Sequence, residues 1–271
     1  MATRPDDLRA FAEDPAAFVE VGPDEERIVT DRYSVTFSPG EHFWSTSVAR
    51  VRFGEGGAEA GVGEIRELMA ARGRTAAAWA LGPSATPPGL MERLLDLGME
   101  SESDEGSVIL VLTEAPSVGD TPFRVERVAT YEHHLAVIEV GNEGFDFSAA
   151  DAADERRRAR ATFDSEQAGG YTARLLAFDG DRPVATGRAW RSPFGLYLGG
   201  GATLPSDRRR GAMSALVAAA WEEAVASGTP ALVTHGGAMA AAVLERLGFR
   251  PTGVVRHLID RVDRSRRPGQ A

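Results

Sequence analysis

The chain opens on a polar, acidic stretch, RPDDLRAFAEDPAAFVEVGPDEE, where apolar residues take helical spacing only around Leu8 to Phe18, and a short helix is expected there. Two segments with strand-like alternation follow, RYSVTFS and STSVARVRF, the second setting Val48, Ala49, Val51 and Phe53 among polar neighbours. Glycines punctuate positions 54 to 63, after which EIRELMAARG predicts a helix closed by Gly73. TAAAWALG reads as a buried strand, and PPGLMERLLDLGM as a helix with proline near its start and Gly98 at its end. SVILVLT is the clearest short strand of this half.

The stretch EAPSVGDTPF is rich in turn formers and reads as a linker, beyond which the pattern begins afresh. FRVERVA predicts a strand, TYEHHLAVIEVGNEGF a helix with Leu135, Ile138 and Val140 inward, and ADAADERRRARATF a second, strongly charged helix. Three strands come next, YTARLLAFDG, RPVATGRAWRS and FGLYLGGGATL, the first two joined by an Asp-Gly hairpin signal. A long helix follows Gly211 and ends at Gly228, with Met213, Leu216, Val217, Ala220, Trp221 and Ala224 on one face. PALVTHG, AMAAAVLERLGF and TGVVRHLIDRV close the pattern as strand, helix and strand. The reading divides the chain into a first domain 1–115, a linker 116–122, a second domain 123–265 and a frayed tail 266–271. TAAAWALG with MERLLDLGM echoes TPALVTHG with VLERLGF, the signature of an internal duplication.

Composition narrows the classes. At 271 residues, 43% hydrophobic and 26% charged, the chain is globular and long enough for two ordinary domains. It holds no cysteine, which excludes disulfides and thiolate metal sites and is compatible with a reducing cytosol. No secretory signal pattern and no bilayer-length apolar run is present, so a cytoplasmic protein without membrane contact is expected. A net charge of -10 argues against nucleic acid as partner.

Against that acidic background LPSDRRRGAM stands out, at residues 204–213 between a strand and a helix. Pro205 stops the ladder. The first N–H groups of the helix lack internal acceptors and its dipole is positive at that end, so a strand-to-helix turn with glycine at the closest approach favours an anion. Arginines add donors suited to a pyrophosphate. A solvated charged face is the alternative reading of the same run.

This segment resembles the hallmark of the GNAT superfamily of acyl-CoA-dependent N-acetyltransferases: Arg or Gln, two residues, Gly, one residue, then Gly or Ala, opening the helix after the fourth strand. Arg208 and Gly211 match it, Met213 departs from it, and LERLGF resembles the family's later helix and turn. The resemblance covers residues 123 to about 263, and the first half looks like the degenerate partner of tandem members, its FGEGGAEAGVGEIRELM lacking Arg-x-x-Gly. It implies an α/β (α+β) fold of two mixed sheets flanked by helices, with central strands splayed to hold CoA. Backbone groups of Gly201, Ala202 and Thr203 would pair with the pantetheine arm, and Arg208, Arg209, Arg210, Gly211, Ala212, Met213 and Ser214 would surround the pyrophosphate. The implied function is transfer of an acetyl group from acetyl-CoA, without a metal, to the amine of a small-molecule acceptor. A catalytically weak acyl-CoA-binding sensor is the alternative, and a homodimer stays open.

The family's usual proton carriers do not transfer. The strand glutamate falls at Tyr197, the tyrosine of the Gly-Phe turn at Leu244 and the asparagine at Gly237. Substitutes are His235, whose imidazole titrates near neutral pH, and Tyr197. His133 and His134 on the first helix, and Phe145 and Phe147 after it, are placed where an acceptor would be held or would pack as core.

Overall fold

Two hydrophobic clusters organise the chain in a computed structural model that describes residues 5–262. In chain order the elements begin with α1 (Pro5–Glu13), β1 (Glu26–Val29), β2 (Ser34–Phe37), β3 (Thr46–Ala49), α2 (Ala58–Ala71), β4 (Ala76–Leu81) and α3 (Leu90–Asp96). They continue with β5 (Glu100–Ser101), β6 (Ser107–Leu112), β7 (Arg124–Arg127), α4 (Tyr131–Phe145), α5 (Ala149–Gly169) and β8 (Thr172–Asp179). The last are β9 (Arg182–Ser192), β10 (Gly195–Thr203), α6 (Ala212–Ala226), β11 (Leu232–Gly236), α7 (Ala238–Arg246) and β12 (Arg250–Arg261). Most follow the hydrophobic pattern; β1 and the two-residue β5 do not, because ERIV is half-exposed and ES fully so.

Of the described residues, 25–107 and 253–262 form a first unit and 5–24 and 108–252 a second. This departs from the boundary expected between 115 and 123. The physical reason is pairing. β6, read with the first half, pairs antiparallel with β11 (Leu232↔Leu112 to Gly236↔Val108), whereas the end of β12 pairs antiparallel with β4 (Arg256↔Leu81 to Arg261↔Ala76). The stretch 116–122 is irregular, as expected, but it joins two strands of the second unit. The tail 266–271 lies outside the described residues.

In the first unit the strands run β1-β2-β3-β4-β12, all antiparallel except the β3–β4 pair. Val62, Ile65 and Met69 of α2 share one helical stripe, and all are buried with Trp79, Leu81 and Leu258. In the second unit the order is β6-β11-β10-β9-β8-β7, antiparallel except β10–β11. Its α6 face buries Ala215, Leu216, Val217, Ala220 and Ala224 with Leu196, Leu232 and the α7 residues Ala241 and Leu244. The opposite face packs Val137 of α4 against Leu176 and Phe178. Each unit is a mixed sheet flanked by helices, and each contains one strand–helix–parallel strand crossover, β3-α2-β4 and β10-α6-β11.

Candidate functional site

The parallel pairing of β10 with β11 covers only Leu196↔Leu232 to Leu198↔Thr234. Thr234 ties off the last rung by donating its hydroxyl to the Leu198 carbonyl, 2.8 Å away. Beyond it β10 pairs only with β9, through a register shift between Gly199 and Ala202. Gly200 there has φ +59 and, like Gly201, is exposed. The two strands therefore part at one point and leave the open edge of a glycine-rich strand beside the gap. Gly199 is required by packing as well: a Cβ there would lie 2.9 Å from Trp190 Cζ3.

The strand leads into the arginine turn. Pro205–Asp207 forms a 3-10 turn, Arg209 takes φ +64, and Gly211, at φ +95, is the N-cap of α6. No side chain caps the helix, so its first N–H groups point into the turn. The three arginines have separate duties. Arg210 donates to Asp207 (2.6 Å) and Asp179 (2.7 Å), with its guanidinium over the Phe123 ring. Arg182 also grips Asp207, at 2.8 and 2.9 Å, and these hydrogen bonds hold that buried carboxyl well below the usual carboxylate range. Arg208 lies over the backbone, donating to the Thr203 and Gly144 carbonyls. Arg209 is exposed and has no side-chain partner among the described residues. Thus two of the three pin the turn, and Arg209 alone keeps its whole guanidinium turned to solvent.

The other expected residues fall around the same turn. Ala202 is buried beside Gly144 of α4, Thr203 and Ser214 are half-buried, and Ala212 is buried in the core. Met213, expected on the core face of α6, instead lays its Cε 3.1 Å from where a Cβ on Gly201 would stand. Glycine on the strand makes the space that the larger residue on the helix uses.

Where the strands part, Tyr197 and His235 meet edge to face with ring centroids 5.7 Å apart, and Tyr197 stacks on Trp190 at 5.5 Å. Burial pushes the Tyr197 hydroxyl up to about 12, so it stays protonated at neutral pH. Burial lowers the His235 pKa, which keeps its ring neutral at pH 7. His235 Nε2 lies 2.8 Å from the Ala12 carbonyl. A carbonyl only accepts, so Nε2 carries the proton and Nδ1 is the basic nitrogen. Leu244, at the place of the family's tyrosine, is buried in the core, and Gly237 is exposed.

The row continues across the sheet. The Arg188 guanidinium lies over the Trp190 ring at 4.4 Å and joins Arg174 on the buried Glu166, at 2.9 and 2.7 Å. His134, 1% exposed, lies beside this cluster with Nδ1 unpartnered, and burial, aided by Arg174, lowers its pKa to about 4. His133 is half-exposed near Glu126. Phe145 and Phe147 stack on each other at 5.7 Å and are exposed, so they are not core residues. Sequence reading missed the Glu166–Arg174–Arg188 cluster, since its members sit on three elements with no shared motif. A groove of about 280 Å³ lined by Arg127, Leu175 and Glu223 lies on the α6 face, away from the parting strands.

The corresponding place in the first unit is closed. After β3, Arg52 bridges Thr86; Phe53 N–H donates to the Thr86 carbonyl (3.0 Å), Thr86 N–H to Val51 (3.2 Å), and the Thr86 hydroxyl to Phe53 (3.0 Å). The Phe53 ring covers Gly61 near the start of α2, and the first turn of α2 carries Glu59. No arginine turn precedes this helix. Among the described residues no helix is long and apolar enough to cross a membrane.

Residues 136–249 match the model of the acetyltransferase (GNAT) family. The matched span lies within the second unit. Among solved structures the chain is similar along its whole length to a GCN5-related N-acetyltransferase from Kribbella flavida (21% identity, TM-score 0.66, 100% of this chain and 97% of that one). It is similar to a tandem GNAT protein from the clavulanic acid biosynthesis pathway (14%, 0.58, 96% and 97%). A GCN5-related N-acetyltransferase from Sphaerobacter thermophilus is also similar (13%, 0.55, 86% and 82%). At these identities the likeness is one of fold. No curated protein matches the chain.

Proposed function

We propose that the second unit transfers an acetyl group from acetyl-CoA to the amine of a small-molecule acceptor. The observation that carries this reading is the parting of β10 from β11 immediately before the uncapped α6 N-terminus. The exposed backbone at Gly200 and Gly201 is suited to pair with a pantetheine amide in the manner of an added strand. The N–H groups of residues 212–214 and the Arg209 guanidinium are suited to the pyrophosphate, on a turn that Arg208, Arg210 and Asp207 hold in shape. The amine nitrogen attacks the thioester carbonyl of acetyl-CoA, the carbon–sulfur bond breaks and CoA leaves as its thiolate; the neutral His235 takes the amine proton at Nδ1 and returns it to the thiolate, while the Tyr197 hydroxyl, protonated throughout, orders the polar atoms around it.

A second reading, acyl-CoA binding with little turnover, draws on the lack of any carboxylate along β10 and on Leu244 in the core. Calorimetric CoA binding, run beside mass-spectrometric detection of acetylated products from a panel of amines, separates them. Binding with product on some amine supports transfer; binding without product on any supports the second reading; no binding ends both. Arg209→Ala is expected to weaken CoA about tenfold, the weight of one charge-assisted contact.

A further inference from the structure

The N-terminal segment 5–24 lies outside the matched family span, yet it belongs to the second unit and is anchored where β10 and β11 part. His235 is the first residue of β11 beyond the last parallel rung, Leu198↔Thr234, and it is this residue that Ala12 holds. The anchoring is extensive. Phe11 is fully buried between Phe18 (6.4 Å) and Phe194 (6.3 Å), Ala12 is 1% exposed, and Pro15 is buried. Further along, Glu20 N–H donates to the Arg191 carbonyl at 2.7 Å, and Gly22 sits against the Tyr171 ring with no room for a Cβ.

The segment lies on one face of the sheet, the face that carries the row of side chains from His235. His235 contacts Tyr197, Tyr197 stacks on Trp190, and Trp190 carries Arg188, which pairs with Glu166 of α5. These residues share the face of the sheet that α4 and α5 cover, with α4 packed over β9 and β10 and α1 against β11. On this face the parting point is thus flanked by α4 on one side and α1 on the other.

Resting on the transfer reading above, we propose that segment 5–24 is a working part of the transferase site. It walls the acceptor cleft on the β11 side, and through the Ala12 carbonyl it fixes His235 as the Nε2–H tautomer, leaving Nδ1 as the basic nitrogen. Ala12 is thus a positioning group supplied from 223 residues away in the sequence.

Full-length variants test this. His235→Gln keeps an N–H donor for Ala12 without a titrating ring, His235→Ala removes it, and the Phe11→Ala/Phe18→Ala pair loosens the segment while keeping His235. Hydrogen exchange of residues 8–19, ¹⁵N resonances of His235, CoA affinity and amine kinetics are measured on each. Losing one buried hydrogen bond should speed exchange of the segment about tenfold in His235→Ala but not in His235→Gln. The phenylalanine pair should shift His235 from the pure Nε2–H tautomer to a mixture and raise KM for the amine about tenfold. CoA affinity should remain within about threefold of wild type in that variant, the ordinary spread for a site without direct contact. A loosened segment with unchanged or faster transfer overturns the proposal, as does an Nδ1–H tautomer in the wild type. If the wild type acetylates no amine yet shows the Nε2–H tautomer and the protected segment, the transfer reading fails while the anchoring stands.

Discussion

Met213 and Gly201 form the sharpest residue-scale pair in the turn, a helix residue larger than the family pattern facing a strand residue with no side chain. Gly201→Ala should crowd Met213 and weaken CoA binding, and adding Met213→Ala should restore it. A coupling of about 1 kcal/mol in calorimetric affinities is expected, typical of residues in contact. His134 gives a pH signature. Its folded pKa of about 4 lies below the ordinary 6.5, so between these values the unfolded chain binds a proton that the folded chain refuses. Stability contributed by the neutral ring is full above pH 6.5 and is lost as pH falls toward 4, on the order of 3 kcal/mol. Urea midpoints from pH 7 to 4 should fall less steeply in His134→Gln. The arginine run shows what the residue scale alone conceals, because three identical, exposed side chains divide into two that pin the turn and one without a side-chain partner among the described residues.

At the scale of elements, the β10–α6 turn depends on Gly211 at φ +95, where the nearest atom to an added Cβ would be 4.0 Å away. Space is therefore open and only the backbone objects. Gly211→Ala is expected to cost about 1–2 kcal/mol in a denaturant titration and to weaken CoA, as left-handed backbone resists a side chain. The two crossovers share strand, helix and parallel strand, yet differ at the gap. In the first unit, hydrogen bonds from Thr86 fill the space that β10 leaves open in the second. Calorimetry should accordingly find one CoA per chain, and Gly211→Trp should remove all of the binding heat. A second equivalent surviving in that variant would place binding in the first unit.

At the scale of the whole molecule, the boundary expected from the turn-rich stretch 116–122 is not where the units divide. Residues 123–271 expressed alone would lack β6, which pairs along β11, and segment 5–24, which holds His235. That fragment is expected to be insoluble or unfolded by circular dichroism. Co-expression with residues 1–115 should restore a soluble, CoA-binding pair, since it returns the missing strand and the edge of β11 would otherwise stand unpaired.

Local pattern by itself determined most helices and strands, because amphipathic spacing, glycine stops and the Asp-Gly hairpin act within a few residues of one another. It also marked the arginine turn between β10 and α6, whose residues lie in one contiguous run from Leu204 to Met213. Only the tertiary structure decided which arginines pin the turn, that Glu166, Arg174 and Arg188 gather, and that the first unit's gap is closed. It alone decided that Ala12 reaches His235 and that β6 and β12 pair as they do. Each of these is a contact between residues distant in sequence, and periodicity holds no record of which strand edge a segment will meet.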